Sequence, residues 1–342
     1  MKSNNRFTKL LRANLNAVLK SQPEILPKNA SLLVAVSGGQ DSLCLAKLLQ
    51  LQQPKFNWNL TIAHCDHQWR SDSVANAEHV EHIAKEWGID FCLRTAASLL
   101  TSEADARKWR YAMLVEMANI RKCTHVITGH TRSDRVETLL YNLMRGSGAD
   151  GLASLTWMRS LTPTIKLVRP LLNVSRHETL GFCQEQQIPI WEDSTNQNLD
   201  YRRNRLRLET IPYLQEHFNP QLEMAIAQTS ELLHGDVIYL EEQARSFFVD
   251  NMTVIWDDHA PRLHRQRLQE QPLALQRRIV RQFLSRYLIH QVNFEDIERF
   301  LDLLTAQNRS QSAPFKGNIS AFVEHPWIFL CIFAKRFAKQ TF

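Results

Sequence analysis

Ser37-Gly38-Gly39-Gln40-Asp41-Ser42 follows directly on the apolar run Leu32-Leu33-Val34-Ala35-Val36 and opens a helical pattern. This junction constrains the chain more than any other feature. Two adjacent glycines let the backbone turn sharply and present its amides inward. The start of the next helix adds a partial positive charge, which favours an anion there. The hydroxyls of Ser37 and Ser42 can add hydrogen bonds to phosphate oxygens. Asp41 alone would repel a phosphate, so its presence points to Mg²⁺ between carboxylate and phosphates. A plain strand-to-helix turn, with Asp41 or Ser42 as the cap, is the competing reading of a bare Gly-Gly pair. It leaves the rest of the loop without a job.

The surrounding pattern fits a phosphate loop. Further β-rich runs follow at Leu60 to His64, Phe91 to Leu93 and Val126 to Thr128, with helical stretches at Ser42 to Gln52, Val74 to Trp87 and Ala104 to Asn119 between them. Strand and helix alternating at this spacing predict an α/β fold, a parallel sheet with helices on both faces. Right-handed crossovers gather the loops after the strands along one edge. The pattern continues through Ile165 to Val168 and a helix over Ser175 to Gln187, then changes near Leu214, where Pro212 and Pro220 bracket a break. Beyond it, Asn219 to Ala244 and Leu273 to Leu304 are helical, and Phe315 to Phe337 has short β-rich pieces. The expected organisation is a catalytic domain over 1–215 and a smaller, mainly helical domain over 216–342 that would bind nucleic acid.

Composition narrows the partners. Net charge is +6, and its distribution matters more than its size. Seven arginines and one acid, Glu270, lie between Arg262 and Arg286, and four of the six residues from Arg202 to Arg207 are arginine. Such runs suit phosphates, or else a solvated helix face. The six cysteines are scattered with no CxxC pair, which suggests reduced thiols in a cytoplasmic compartment (or an organelle stroma) and argues against zinc ribbons and clusters held by close cysteine pairs. No apolar run approaches the roughly 18 residues of a membrane helix, so no membrane partner is expected. The basic N-terminus reads as an amphipathic helix packed on the domain rather than a secretory signal.

The loop at Ser37 to Ser42 matches the SGGxDS signature of the pyrophosphatase-loop (PP-loop) superfamily, and an ordered series of motifs resembles one branch of it, the tRNA(Ile)-lysidine synthetases. His64-Cys65-Asp66-His67-Gln68-Trp69-Arg70 resembles HxDHxxR. Glu103 to Tyr111 resembles EAxARxxRY. Gly129-His130 with Asp134, Glu137 and Thr138 resembles GHxxxDxxET, with Ser133 where many members carry a first aspartate. Arg145 to Leu152 resembles RGxGxxGL, Arg169 to Leu172 matches RPLL, Asp193 to Asn196 resembles DxSN, and Arg203-Asn204-Arg205-Leu206-Arg207 resembles RNxxR. The resemblance covers about residues 30 to 215.

It implies an enzyme that adenylates the wobble cytidine of a tRNA(Ile) with a CAU anticodon and then attaches L-lysine at C2, consuming ATP with Mg²⁺. Implied for ATP are Ser37, Gly38, Gly39, Gln40, Asp41 and Ser42, with Asp41 also on the metal. Implied for catalysis are Asp41, His130, Asp134 and Glu137, one of the last two taking the lysine proton. His130 and Asp134 are expected on one face at the start of a helix. Arg110, Arg145, Arg203, Asn204, Arg205 and Arg207 are implied for lysine or tRNA. His64, Asp66, His67 and Arg70 are expected to contact substrate or nucleotide, a zinc site from the two histidines and the aspartate being the other option. A homodimer is left open. The rival readings are a tRNA thiolase, which would need reactive cysteines, an amidating ligase, which would need an ammonia source, and a nucleotide- or RNA-binding module without catalysis.

Overall fold

The structure, a computed structural model, describes residues 5–98, 101–153, 155–191, 198–249, 253–256 and 260–332. The chain divides into two compact units, Met1–His234 and Gly235–Phe342.

In the first unit the elements run α1 (Arg6–Ser21), β1 (Ser31–Ala35), α2 (Gln40–Phe56), β2 (Asn59–Asp66), α3 (Ser73–Glu86), β3 (Asp90–Thr95), α4 (Glu103–Ile120), β4 (His125–Thr128) and α5 (Arg132–Met144). They continue with α6 (Ala149–Leu152), β5 (Met158–Ser160), β6 (Lys166–Val168), α7 (Arg176–Glu185), α8 (Arg202–Arg205), a π-helical turn Leu206–Thr210 and α9 (Ile211–His217), and α10 (Leu222–Phe247) begins within this unit. The six strands form one sheet in the order β3-β2-β1-β4-β6-β5, parallel throughout except that β5 pairs antiparallel with β6 at the edge. This is the α/β architecture the alternation predicts.

Leu32, Leu33 and Val34 of β1 are almost fully buried, as a central strand covered on both faces demands. Leu32 and Val34 join a core with α1, α2 and α7, while Leu33 faces α4 with Leu114 and Met117. The chain leaves β1 for β2 and β3 on one side and returns through β4 and β6 on the other. Strand order therefore reverses between β1 and β4, and ligands in open α/β sheets bind beyond the strand ends at such a point. The N-terminal stretch is the expected amphipathic helix, with Leu11, Leu15, Val18 and Leu19 buried in that core.

The second unit contains the rest of α10, then β7 (Val254–Ile255), β8 (Arg262–His264), α11 (Arg265–Gln269), α12 (Leu273–Ser285), α13 (Phe294–Leu301), β9 (Ile319–Glu324) and β10 (Trp327–Ile332). Its four strands form an antiparallel sheet in the order β7-β8-β10-β9, a larger β element than the sequence suggests. Phe283 and Phe300 are fully buried in its core. The division between the units falls within α10 rather than near residue 215. The reason is local: Ser230 donates to the Leu152 carbonyl, and the Glu231 carboxylate accepts from Arg135 and Trp157, so the first turns of α10 belong to the first unit.

Four arginines of the second unit's run have partners within that unit. Arg277 pairs with Glu298, Arg278 and Arg281 pair with Glu241, and Arg265 donates to the carbonyls of Leu304 and Ala306.

Candidate functional site

The loop after β1 is built as a turn that only glycine permits. Gly38 has φ +91°, and a Cβ there would lie 2.3 Å from Asn76 Oδ1. The loop carbonyls are held from outside, that of Ser37 by Asn76 Nδ2 at 3.1 Å and that of Gly38 by the Trp191 amide at 3.0 Å. The Ser42 hydroxyl accepts from the Ser37 amide at 3.1 Å and donates to the Gly39 carbonyl at 2.9 Å, so it shapes the turn. Gly39 is the N-cap of α2 with no side-chain cap, which leaves the orphan amides of the first turn for an anion. Gln40 turns its side chain into α7, donating to the Arg176 carbonyl at 2.8 Å and the Thr179 hydroxyl at 3.0 Å. It thus offers a ligand its backbone and braces the loop with its amide.

Asp41, in the first turn of α2, is met by two α7 residues that the sequence reading does not single out. Arg176 Nε donates to its Oδ2 at 2.8 Å and Thr179 Oγ1 to its Oδ1 at 2.5 Å. Burial nevertheless raises the pKa of Asp41, Arg176 opposes this, and Asp134 adds to it. The second wall of the site is the turn after β4. A Cβ on Gly129 would lie 2.8 Å from the Asp41 carbonyl, so this glycine lets the two turns touch.

His130 is not on α5. Thr131 is the N-cap, and Asp134, at N3, completes a capping box: its carboxylate accepts from the Thr131 amide at 2.7 Å and the Thr131 hydroxyl at 2.8 Å. The helix therefore starts two residues after His130, and the expectation that His130 and Asp134 share a helical face gives way to contact through the cap. The His130 ring meets the Thr128 hydroxyl at 2.9 Å. Burial, with Arg169, Arg110 and Arg107 around it, pushes its pKa down to about 3 against the pull of Asp134, so the imidazole is neutral. Asp134 is held below the usual carboxylate range: burial acts upward, but Arg176 and the Thr131 bonds outweigh it. Ser133, in the first turn, accepts from the Arg176 amide at 3.4 Å and so ties α5 to α7.

Glu137, one turn further on, is 3% exposed and takes both arms of Arg207, at 2.6 Å and 2.8 Å. Burial raises its pKa in spite of that partner. Arg207 also stands 3.8 Å from Asp134. It is the member of the arginine segment that enters the site. Arg203 pairs with Glu103 at 3.6 Å and Arg205 with Glu209 at 3.9 Å on exposed surface, while the buried Asn204 donates to the Asn198 carbonyl at 2.9 Å. A short helix running into a π-helical turn explains the split, since successive residues then point to different sides. Arg145 lies at the C-cap of α5, exposed, with its guanidinium 5.5 Å from the Tyr141 ring. Asp193 to Asn196 lie outside the described residues.

At the ends of β2 and in α4 the positive charge concentrates. The guanidiniums of Arg107, Arg110 and Arg159 lie 5.4, 5.7 and 5.0 Å from the Tyr111 ring. Arg169, 1% exposed, donates to the Thr156 carbonyl at 2.7 Å. His64 Nδ1–H donates to the Val36 carbonyl at 2.7 Å, and Asp66 accepts from the Gln68 amide at 2.8 Å. Among the described residues no cluster of three or more His, Cys, Asp or Glu could hold a metal unaided. Mg²⁺ on a nucleotide needs less, because phosphates and water supply most of its ligands. Asp41, with Asp134 close enough to raise its cost of ionisation, suits that demand.

Comparison with known proteins gives the chain's relatives. A family described as the PP-loop domain matches residues 7–214. A Nostoc protein named tRNA(Ile)-lysidine synthase is 54% identical over 94% of this chain and 96% of its own length. One of the same name from Thermosynechococcus vestitus is 48% identical over 92% of this chain and 90% of its own. Among solved structures, the U34-tRNA thiolase NcsA from Methanococcus maripaludis aligns with TM-score 0.56 at 16% identity, over 67% of this chain and 79% of that one, which is a likeness of fold.

Proposed function

The chain belongs to the tRNA(Ile)-lysidine synthase family of PP-loop proteins, and from that premise we propose how its site ligates lysine to the wobble cytidine of tRNA(Ile) with ATP. The observation that carries the reading is the meeting of the glycine turn, Asp41, Asp134 and Glu137 at the sheet's switch point, with Arg176 and Arg207 as their counter-charges.

In this proposal the triphosphate lies on the amides of Gly38 to Ser42, and Asp41 and Asp134 would hold a Mg²⁺ ion that would screen the charge of the departing pyrophosphate. Cytidine O2 attacks the α-phosphorus and pyrophosphate leaves. The lysine ε-amine then attacks C2, and the C2–O2 bond breaks as AMP departs. The amine must lose a proton first. Of the two acids, Glu137 has the raised pKa and is the better base, whereas Asp134 is capped and held low, so it orients rather than accepts. Arg207, which grips Glu137 here, turns to the lysine carboxylate or a phosphate when substrates fill the site. Neutral His130 lends a hydrogen bond without adding a charge. The target base must be swung out of its stack, and anticodon loops already expose such bases. The scattered free cysteines are consistent with a reducing compartment such as the cytoplasm.

The test measures pyrophosphate release and labelled-lysine incorporation with Mg²⁺, ATP, lysine and unmodified tRNA(Ile) bearing CAU, omitting each component in turn. Both signals should require the tRNA, and Asp41→Ala should abolish both. Pyrophosphate release that ignores the tRNA, with no lysine transferred, would refute the assignment.

A further inference from the structure

A row of aromatic rings beside the site has no part in the chemistry above. His67, just past the end of β2, lies 5.7 Å from the Trp69 ring and 5.0 Å from the Trp109 ring in α4. Trp69 is 45% exposed, at the binding edge of the sheet. The buried His67 Nδ1 has no hydrogen-bond partner among the described residues. Burial together with Arg110 pushes the His67 pKa down to about 4, so the ring is uncharged and its orphan nitrogen wants a neutral polar partner.

The row is anchored to the phosphate loop. The bond from His64 to the Val36 carbonyl ties the end of β2 to the residue before Ser37. His67 lies three residues beyond His64 along the chain, a reach of about 10 Å from that tie. Arg110, next to Trp109, and the other guanidiniums at Tyr111 set a positive field along the same edge. The triphosphate already has its amide cradle, so this further positive charge suits the backbone of a polyanion.

We propose that His67, Trp69 and Trp109 form a stacking surface for one unpaired base of the anticodon loop, adjacent to the cytidine that reacts, with Arg110 meeting the phosphate beside it. Every base has a π-face, and aromatic platforms flanked by arginine are a general means of holding single-stranded RNA. Gripping a neighbour of the target would hold the loop splayed while the target base is turned into the site. The proposal rests on the assignment of a tRNA substrate, and its test separates the two.

Binding of an anticodon stem–loop RNA of the isoleucine tRNA to the full-length protein is measured by fluorescence anisotropy, alongside the KM for ATP in the complete reaction. Trp69→Ala and Trp109→Ala should each weaken stem–loop binding by roughly 5- to 150-fold, the range of one lost base stack, with the KM for ATP unchanged. Trp69→Phe should restore most of the affinity, and the melting temperature of Trp69→Ala should match the parent. Stem–loops carrying one abasic residue at each loop position identify the base: at that position the loss from Trp69→Ala should vanish. Alanine variants that bind like the parent overturn the proposal. So does a rise in the KM for ATP with RNA affinity intact, which would put adenine on the rings. So does a loss equal on every abasic RNA. If the parent protein itself neither binds the stem–loop nor needs tRNA for pyrophosphate release, the tRNA assignment has failed first and this proposal falls with it.

Discussion

Removing one side of the Glu137–Arg207 pair should cost more than removing both sides suggests. Glu137 is 3% exposed and receives two charge-assisted bonds, at 2.6 Å and 2.8 Å, from a guanidinium 22% exposed. Arg207→Ala leaves a buried carboxylate without its partner, a change that costs about 3–5 kcal/mol in well-buried pairs. The partial exposure of Arg207 puts the expectation near the lower end, about 3 kcal/mol. Glu137→Gln keeps one acceptor, buries no net charge and lets Arg207 reach solvent, so it should cost only about 1–2 kcal/mol. The double variant has no orphaned charge, and its cost should fall short of the sum by about 1 kcal/mol or more. Urea unfolding of the four proteins at pH 7 measures this coupling. A pH series gives a second reading. Burial already raises the pKa of Glu137, and loss of Arg207 raises it further. An acid with a raised folded pKa loses stability as pH climbs from its unfolded pKa through its folded one. The Arg207→Ala penalty should therefore be larger at pH 8 than at pH 5, and fade once both states are protonated below about 4.5. Strictly additive losses, or a penalty independent of pH, would refute the reasoning.

Two further outcomes follow from the geometry. His130 titrates near 3 in the folded protein against 6.5 unfolded, so between those values the unfolded state binds more protons and stability rises with pH; His130→Asn should flatten the urea midpoint against pH across that window, and an unchanged slope would contradict the burial argument. Gly38→Ala forces a side chain onto a residue at φ +91° with Asn76 Oδ1 2.3 Å from the new Cβ; it should cost about 1–3 kcal/mol in strain and remove the rise in melting temperature that Mg·ATP gives the parent, and a retained nucleotide shift would count against the loop as cradle.

Sequence alone determined the first unit's architecture and pointed to the loop after β1 as the place of a site. A strand that must be buried on both faces, two glycines and a helix start are short-range facts, and their consequence for phosphate does not depend on distant residues. The run of β-rich and helical stretches to Val168 predicts the sheet for the same reason. The ordered motifs fixed the family.

What the sequence left open are the roles that depend on which side chains meet. Arg176 and Thr179 stand 135 and 138 residues from Asp41, and only the packing of α7 against α2 brings them to its carboxylate. The resemblance implies a catalytic role for Asp134, but only the folded chain shows that one of its oxygens is taken by the Thr131 cap, which leaves His130 outside the helix. Four arginines in six residues look alike in a string, and one π-helical turn decides that Arg207 faces the site while Arg203 and Arg205 face water. The pairing of Arg277, Arg278 and Arg281 within the second unit is of the same kind. A charge declares in sequence only that it needs a partner; burial and helical phase, which are properties of the folded chain, choose which one.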